Sequence, residues 1–277
     1  MGKTATRNFF HRLALIFLAV FALLTTLMVV RMMLGQSNPN WTIFTTTITC
    51  FLFAFLHAGI RLGWKHALTL VALCFGISLL METLGVATGW IYGPYHYSDM
   101  LGPKFLGLVP YLIPTAWFMM MYPAFLMARW LTPRLKKRWI QVAALAGVAG
   151  LIMTAWDLIM DPLMVLGGDW IWETQGVYFG VPIQNFLGWW FTTFITMVAF
   201  LIFCPAELES NKSEAIANAR WDRWAILSFL ITGFGDGVAA ATYGLAGTAL
   251  VGYFSLGPWI LLAWWKTAAV LDPERAG

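Results

Sequence analysis

The stretch WIQVAALAGVAGLIMTAWDLIMD, Trp139 to Asp161, decides the fold. It carries no charge before Asp157 and has the length, about 20 residues, that a helix needs to cross the hydrocarbon core of a bilayer. Its end sets a second problem. Asp157 and Asp161 stand four apart, so on a helix they share one face, a turn from each other. Ionisable side chains inside or beside an apolar span point to function by default.

Seven further apolar runs flank this one, at roughly 12–34, 41–60, 66–88, 110–131, 184–206, 222–243 and 246–265. With 60% hydrophobic and 11% charged residues and a mean hydropathy of +0.73, the 277-residue chain would expose too much apolar surface as a soluble globule. The expectation is an all-α, polytopic integral membrane bundle of about eight transmembrane helices, a single membrane domain over 1–277 with no room for a soluble one. The first run follows Lys3, Arg7 and Arg12 in the manner of a signal peptide, but it is too long and lacks a small-residue cleavage site. It reads as a retained span. Cys50, Cys74 and Cys204 fall inside apolar runs without Cys-x-x-Cys spacing, so reduced, buried thiols are expected and no metal site.

Cytoplasmic loops retain Lys and Arg. With eight spans and a cytoplasmic N-terminus, all of the 17 Lys and Arg except Arg31 and Lys104 fall on the cytoplasmic side, which places both termini there. Topology thus accounts for the net charge of +4, and no array of basic and aromatic residues calls for nucleic acid. The connector at about 207–221, with Glu207, Glu209, Lys212, Glu214 and Arg220, reads as an ordinary solvated loop. No internal repeat suggests a duplicated transporter half.

Two connections on the other side, roughly 89–109 and 162–183, are too long and too aromatic for simple turns. Gly89, Gly93, Pro94, Gly102, Pro103 and Pro110 break helix in the first, and Gly167, Gly168, Gly176, Gly180 and Pro182 in the second. Non-helical backbone at membrane depth needs protein or water around it, so both are expected to cap a cavity. Counted at about 1.5 Å per residue, Glu82 lies roughly 9 Å, Asp157 roughly 6 Å and Asp236 roughly 10 Å from the outer ends of their spans, with Asp161 at the boundary. Four carboxyls therefore share the outer-leaflet half of one bundle. Two like charges as close as Asp157 and Asp161 favour a state in which one of them keeps its proton. Asp161-Pro162 also reads as a helix stop, and Gly233-Phe234-Gly235-Asp236-Gly237 as a broken helix.

Tyr92, Tyr95, Tyr97, Trp170, Trp172 and Tyr178 suit an interfacial aromatic belt. Above the acids they suit a second use, since aromatic faces attract cations. His96, inside the first aromatic turn, is the one histidine placed to take part. An Asp-x-x-x-Asp pair invites comparison with magnesium and diphosphate chemistry, but that needs further acids and basic residues for the phosphates, and this side has almost no Lys or Arg.

The blocks Glu82-Thr83-Leu84-Gly85, Gly89-Trp90-Ile91-Tyr92-Gly93-Pro94-Tyr95-His96-Tyr97 and Leu106-Gly107-Leu108-Val109-Pro110 resemble the membrane carotenoid-biosynthesis family of CruF-type carotenoid 1,2-hydratases, which includes bisanhydrobacterioruberin hydratases. So do Trp156-Asp157-Leu158-Ile159-Met160-Asp161-Pro162, Trp170-Ile171-Trp172, Tyr178-Phe179-Gly180-Val181-Pro182 and Asn185-Phe186-Leu187-Gly188-Trp189. The family-like core is about 82–190; the flanks, 1–65 and 205–277, resemble it only in being apolar.

The resemblance implies addition of water to the terminal double bond of an acyclic carotenoid end, of the γ-carotene or lycopene type, without a redox cofactor or metal. Protonation would give a tertiary cation that water captures. On that chemistry Asp157 or Asp161 donates the proton, and Glu82 is the base or positions the water. Asn185 orients that water. Tyr92, Tyr95, Trp172 and Trp189 line the end-group pocket, with Tyr97, Tyr178 and Asp236 as further substrate-binding candidates. Carotenoid and bilayer are the expected partners, with a carotenoid glycosyltransferase acting downstream, and a bacterial cytoplasmic membrane the expected location. A carotenoid cyclase, which quenches the cation internally, and a carotenoid or lipid carrier or transporter stand as alternatives.

Overall fold

The structure, a computed structural model, describes residues 3–39, 41–208 and 215–272. Glu209, Lys212 and Glu214 of the expected connector, and Arg275, lie outside the described residues. Among those described there are eight α-helices: α1 (Lys3–Met33), α2 (Trp41–Leu62), α3 (Trp64–Thr88), α4 (Leu112–Leu131), α5 (Arg138–Gly167), α6 (Ile183–Phe203), α7 (Ala215–Thr242) and α8 (Ala246–Leu271). Seven are long and apolar enough to cross a membrane, and α4 is the exception. The chain is an all-α polytopic membrane bundle.

The packing explains the exception. The helices α1, α2, α3, α6, α5, α8 and α7 each pack on the next and α7 returns to α1, so they close a ring, while α4 touches α2, α3, α5, α7 and α8 from inside it. Every residue of α4 from Ile113 to Ala128 except Ala116 is buried. A helix that meets protein on all sides has no lipid-facing stripe to keep apolar, which is why Trp117, Tyr122 and Pro123 are tolerated there.

Two helix boundaries differ from expectation. Asp161-Pro162 does not end α5, which runs on to Gly167 and stops where Gly168 takes a left-handed conformation, φ 74°. Proline lacks the N–H that would bond the carbonyl four residues back, here Leu158. The Tyr178 hydroxyl donates to that carbonyl at 2.8 Å, so the helix passes the proline with its backbone satisfied. Nor is α7 broken at Gly233 to Gly237. Those glycines bring helices together: Gly233 and Gly237 face Leu256 and Tyr253 of α8, and Gly235 faces Thr25 of α1, where an added Cβ would meet the threonine methyl at 2.9 Å.

The two aromatic connections meet as a ribbon. Strand β1 (Tyr95–Tyr97) pairs antiparallel with β4 (Trp170–Trp172), Tyr95 opposite Trp172 and Tyr97 opposite Trp170; β2 (Lys104–Phe105) and β3 (Val109–Pro110) form a second, short pair. Alternation along a strand turns Tyr95, Tyr97, Trp170 and Trp172 inward and leaves His96 and Ile171 exposed. The alternating triplets YHY and WIW therefore form a ribbon with one face turned inward. At the opposite end, the expectation of a solvated connector is corrected at Glu207: it is buried, paired with Arg129 and with His66 Nδ1 at 2.7 Å.

Candidate active site

Three acids lie at one depth below the ribbon. Glu82, Asp161 and Asp236 each precede the end of their helix by six residues, about 9 Å of helix rise. Because α5 continues past Pro162, Asp161 is not at the boundary, and Asp157 is a further turn down at about 15 Å. A cavity of about 260 Å³ opens among them, walled by α1 to α7 and the ribbon. Glu82, Asp161, Asn185 and Asp236 all line it, as do Tyr92, Tyr95, Tyr97, Trp172 and Trp189. Most of the remaining wall is apolar and flexible, with Met28, Met32, Met119, Met160 and Met164.

Each acid is held by neutral donors. Glu82, buried on α3, accepts from the Tyr95 hydroxyl and from Tyr97 at 2.8 Å on Oε2, and from the Trp117 indole at 3.0 Å on Oε1. Asp161 accepts from the Trp170 and Trp172 indoles on Oδ1 at 2.9 and 3.2 Å, and from the Asn185 amide on Oδ2 at 2.6 Å. The same amide donates to Asp157 Oδ2 at 2.8 Å, while Asp157 Oδ1 is buried without a partner. Asn185 thus bridges the two aspartates from the first turn of α6. Trp156 donates to Asp236 Oδ2 at 2.8 Å. Burial first, and then the Glu82 carboxyl, push the Tyr95 and Tyr97 phenols well above their ordinary pKa, so both keep the proton they donate. Among the described residues no Lys, Arg or His pairs with any of these four acids.

The floor is aromatic. Trp189 stacks on Trp117 with ring centres 4.0 Å apart and meets Trp156 edge-on at 5.7 Å, so one indole cluster links the supports of Glu82 and Asp236. Tyr92 is wedged between Gly85 and Gly188, where an added Cβ would come within 2.6 and 2.5 Å of its ring, and its hydroxyl meets Thr192 at 2.8 Å. A carboxyl pair joined by an amide, a third carboxyl opposite and π faces around an apolar space suit proton transfer to an apolar molecule and shelter of a cation.

Most of the sequence-derived residues come together here. Asp157 stands behind Asn185 and does not line the cavity; Tyr178 is engaged with the α5 backbone; His96 points outward, 3.5 Å from Glu173. Trp117 and Trp156 were not singled out. Trp156 adjoins Asp157 in a quoted block, but nothing distinguishes Trp117 within an apolar run until α3 and α4 are side by side.

Residues 19–257 match the family described as carotenoid biosynthesis protein. The chain belongs to this family. The match to the carotenoid biosynthesis family reaches beyond the 82–190 core and takes in Asp236. Over 165 residues the chain is 34% identical to a bisanhydrobacterioruberin hydratase of Haloarcula japonica, an alignment covering 59% of this chain and 54% of that protein. The chain therefore spans about half the length of the curated relative it matches. No solved structure matches it.

Proposed function

We propose that the protein is a carotenoid 1,2-hydratase. The observation that carries this reading is that Glu82 and Asp161 face one apolar cavity, each held by three neutral donors and by no cation. The acyclic end of a γ-carotene or lycopene type molecule enters that cavity. The Asp161 side of the bridged pair delivers a proton to C2 of the terminal double bond, leaving a tertiary cation at C1. The faces of Tyr95, Trp172 and Trp189 attract that cation. Water bonds to C1, and Glu82 takes the proton the water loses. The sum is alkene plus water giving a tertiary alcohol, with no electrons gained or lost, so the reaction itself demands no redox cofactor. Asp157 holds the pair's charge in balance from behind Asn185, and Asp236 lies further along the same wall.

Water needs two to four polar partners to stay in such a place, and Glu82, Asp161 and Asn185 supply them, which favours hydration over internal quenching by cyclisation. From the Lys and Arg asymmetry, both termini face the cytoplasm and the cavity lies toward the outer leaflet. The new hydroxyl is the group a downstream carotenoid glycosyltransferase would modify. The test is expression in cells accumulating lycopene or γ-carotene, with Asp161→Asn and Glu82→Gln beside the native chain and pigment mass as readout. A gain of one water per acyclic end, lost in both variants at equal protein level, is expected. A cyclised product of unchanged mass would establish the cyclase, and unchanged pigment with confirmed expression would overturn the hydratase in favour of a carrier.

A further inference from the structure

A second concavity lies at the opposite end of the bundle, where α1, α2 and α7 meet. Its volume is about 230 Å³, and its walls include Arg7, His11, Arg61, Arg220, Trp221 and Trp224. No acid lines it among the described residues. A general excess of Lys and Arg on one side of a membrane requires basic residues in loops, but it does not require them to converge on one hollow. Here they do so from three helices far apart in sequence: Arg7 from α1, Arg61 from α2 and Arg220 from α7.

The hollow is also braced. Asp222 holds Arg61 through Nε at 2.7 Å and Nη2 at 3.4 Å, and Trp130 supports the same aspartate at 3.0 Å, so the guanidinium is fixed in place with Nη1 left outside that pairing. Trp221 lies between the rings of His57, stacked at 4.5 Å, and His11, tilted at 4.5 Å. Arg7 and Arg220 are exposed, and among the described residues neither forms a salt bridge, so their charge is open to a ligand.

We infer that this hollow binds a phosphate group, and that the phosphate belongs to the headgroup of an anionic phospholipid. Guanidinium groups meet phosphate oxygens through paired N–H donors, and basic hollows between membrane helices collect anionic headgroups. The position supports the lipid as source. Arg7 lies in the first turns of α1, Arg61 one residue before the end of α2 and Arg220 in the first turns of α7, so all three stand near helix ends, with Trp221 and Trp224 in the place that indoles take at a membrane surface. The site is independent of the cavity below the ribbon and stands or falls apart from the hydratase reading.

The experiment uses the full chain purified in a neutral detergent and offered phosphatidylglycerol or phosphatidylcholine, with lipid retention read by native mass spectrometry. Inorganic phosphate and glycerol 3-phosphate form a second arm, read by the shift in unfolding temperature. The double variant Arg7→Gln, Arg220→Gln is the control, and its unchanged unfolding temperature in neutral detergent shows that it folds. Retention of phosphatidylglycerol over phosphatidylcholine is expected, weakened about fivefold for each arginine removed. Stabilisation by the soluble phosphates, lost in the variant and without lipid preference, would keep the phosphate site and overturn the lipid as its source. Equal retention of both lipids with no effect of phosphate, or a preference that survives in the double variant, would overturn the site.

Discussion

The two ends of this bundle bury carboxyl groups in opposite ways. At the end away from the ribbon, Asp222 is paired with Arg61, and Glu207 with Arg129 and His66. Below the ribbon, Glu82, Asp157, Asp161 and Asp236 meet only indole, phenol and amide donors. Burial is alike, with Asp222 at 1% exposure and Glu82 at 3%, so depth does not separate the two uses. A guanidinium fixes its carboxylate in the ionised state and ties two helices. Neutral donors hold a carboxyl in position without dictating that it be charged, which leaves a proton free to come and go. The difference teaches that the partner of a buried acid, more than its burial, decides whether its charge is fixed, and it is the ground on which the proposed chemistry is assigned to the ribbon side.

The largest expected effect falls on the ribbon side. Asp161→Asn keeps an oxygen for the Trp170 and Trp172 indoles but removes the exchangeable proton, and a general acid contributes about 10²- to 10⁴-fold. Hydrated pigment per folded molecule should fall by that factor, over and above any folded protein lost because the new amide NH2 faces the NH2 of Asn185. Retained turnover would dissolve the contrast between the two ends.

The second effect lies at the other end and has the opposite signature. Asp222→Ala strands the Arg61 guanidinium, and loss of one partner of a buried pair costs about 3–5 kcal/mol. Thermal unfolding in detergent should show this loss, with turnover per folded molecule unchanged. A turnover defect larger than the loss of folded protein would draw Asp222 into the chemistry.

How much of this was legible depends on the distance over which residues act. The spans, the aromatic connections and the four acids on one side follow from local composition and from counting along helices, and Asp157 with Asp161 follows from spacing alone. The ion pairs do not: Arg61 and Asp222 are separated by 161 positions and Arg129 and Glu207 by 78, so the connector at about 207–221, which holds Glu207, read as solvated. Pro162 and the glycines around Asp236 are breakers in isolation. Their helices continue because Tyr178 replaces the missing donor and because α1 and α8 press against the glycines. The central place of α4 was hidden for the same reason, since being surrounded leaves a sequence merely less apolar.

Tyr178 sharpens the comparison by crossing it, as a ribbon-side residue with a structural role. Tyr178→Phe leaves the Leu158 carbonyl unbonded beside Pro162 and should cost about 1–3 kcal/mol in unfolding measurements. Its ring contacts with Phe179 and Phe186 persist in the variant. Turnover per folded molecule should stay within about twofold, a difference of about 0.4 kcal/mol. A larger fall would return Tyr178 to the substrate site.

The smallest effect tests whether neutral donors matter one at a time. Trp117→Phe removes the N–H that reaches Glu82 Oε1 and keeps an aromatic ring against Trp189. Tyr95 and Tyr97 still hold Oε2, so the carboxyl stays in place with one donor fewer. A single such bond is worth about 1 kcal/mol net, which sets the expected loss of turnover at about fivefold, with substrate affinity little changed. A fall in kcat at unchanged KM would show that the N–H steadies Glu82 for its work as a base. A rise in KM at unchanged kcat would instead mean that Trp117 serves as a wall of the pocket, and the contrast between an N–H that positions its acid and the guanidinium of Arg61 that fixes its charge would lose this support.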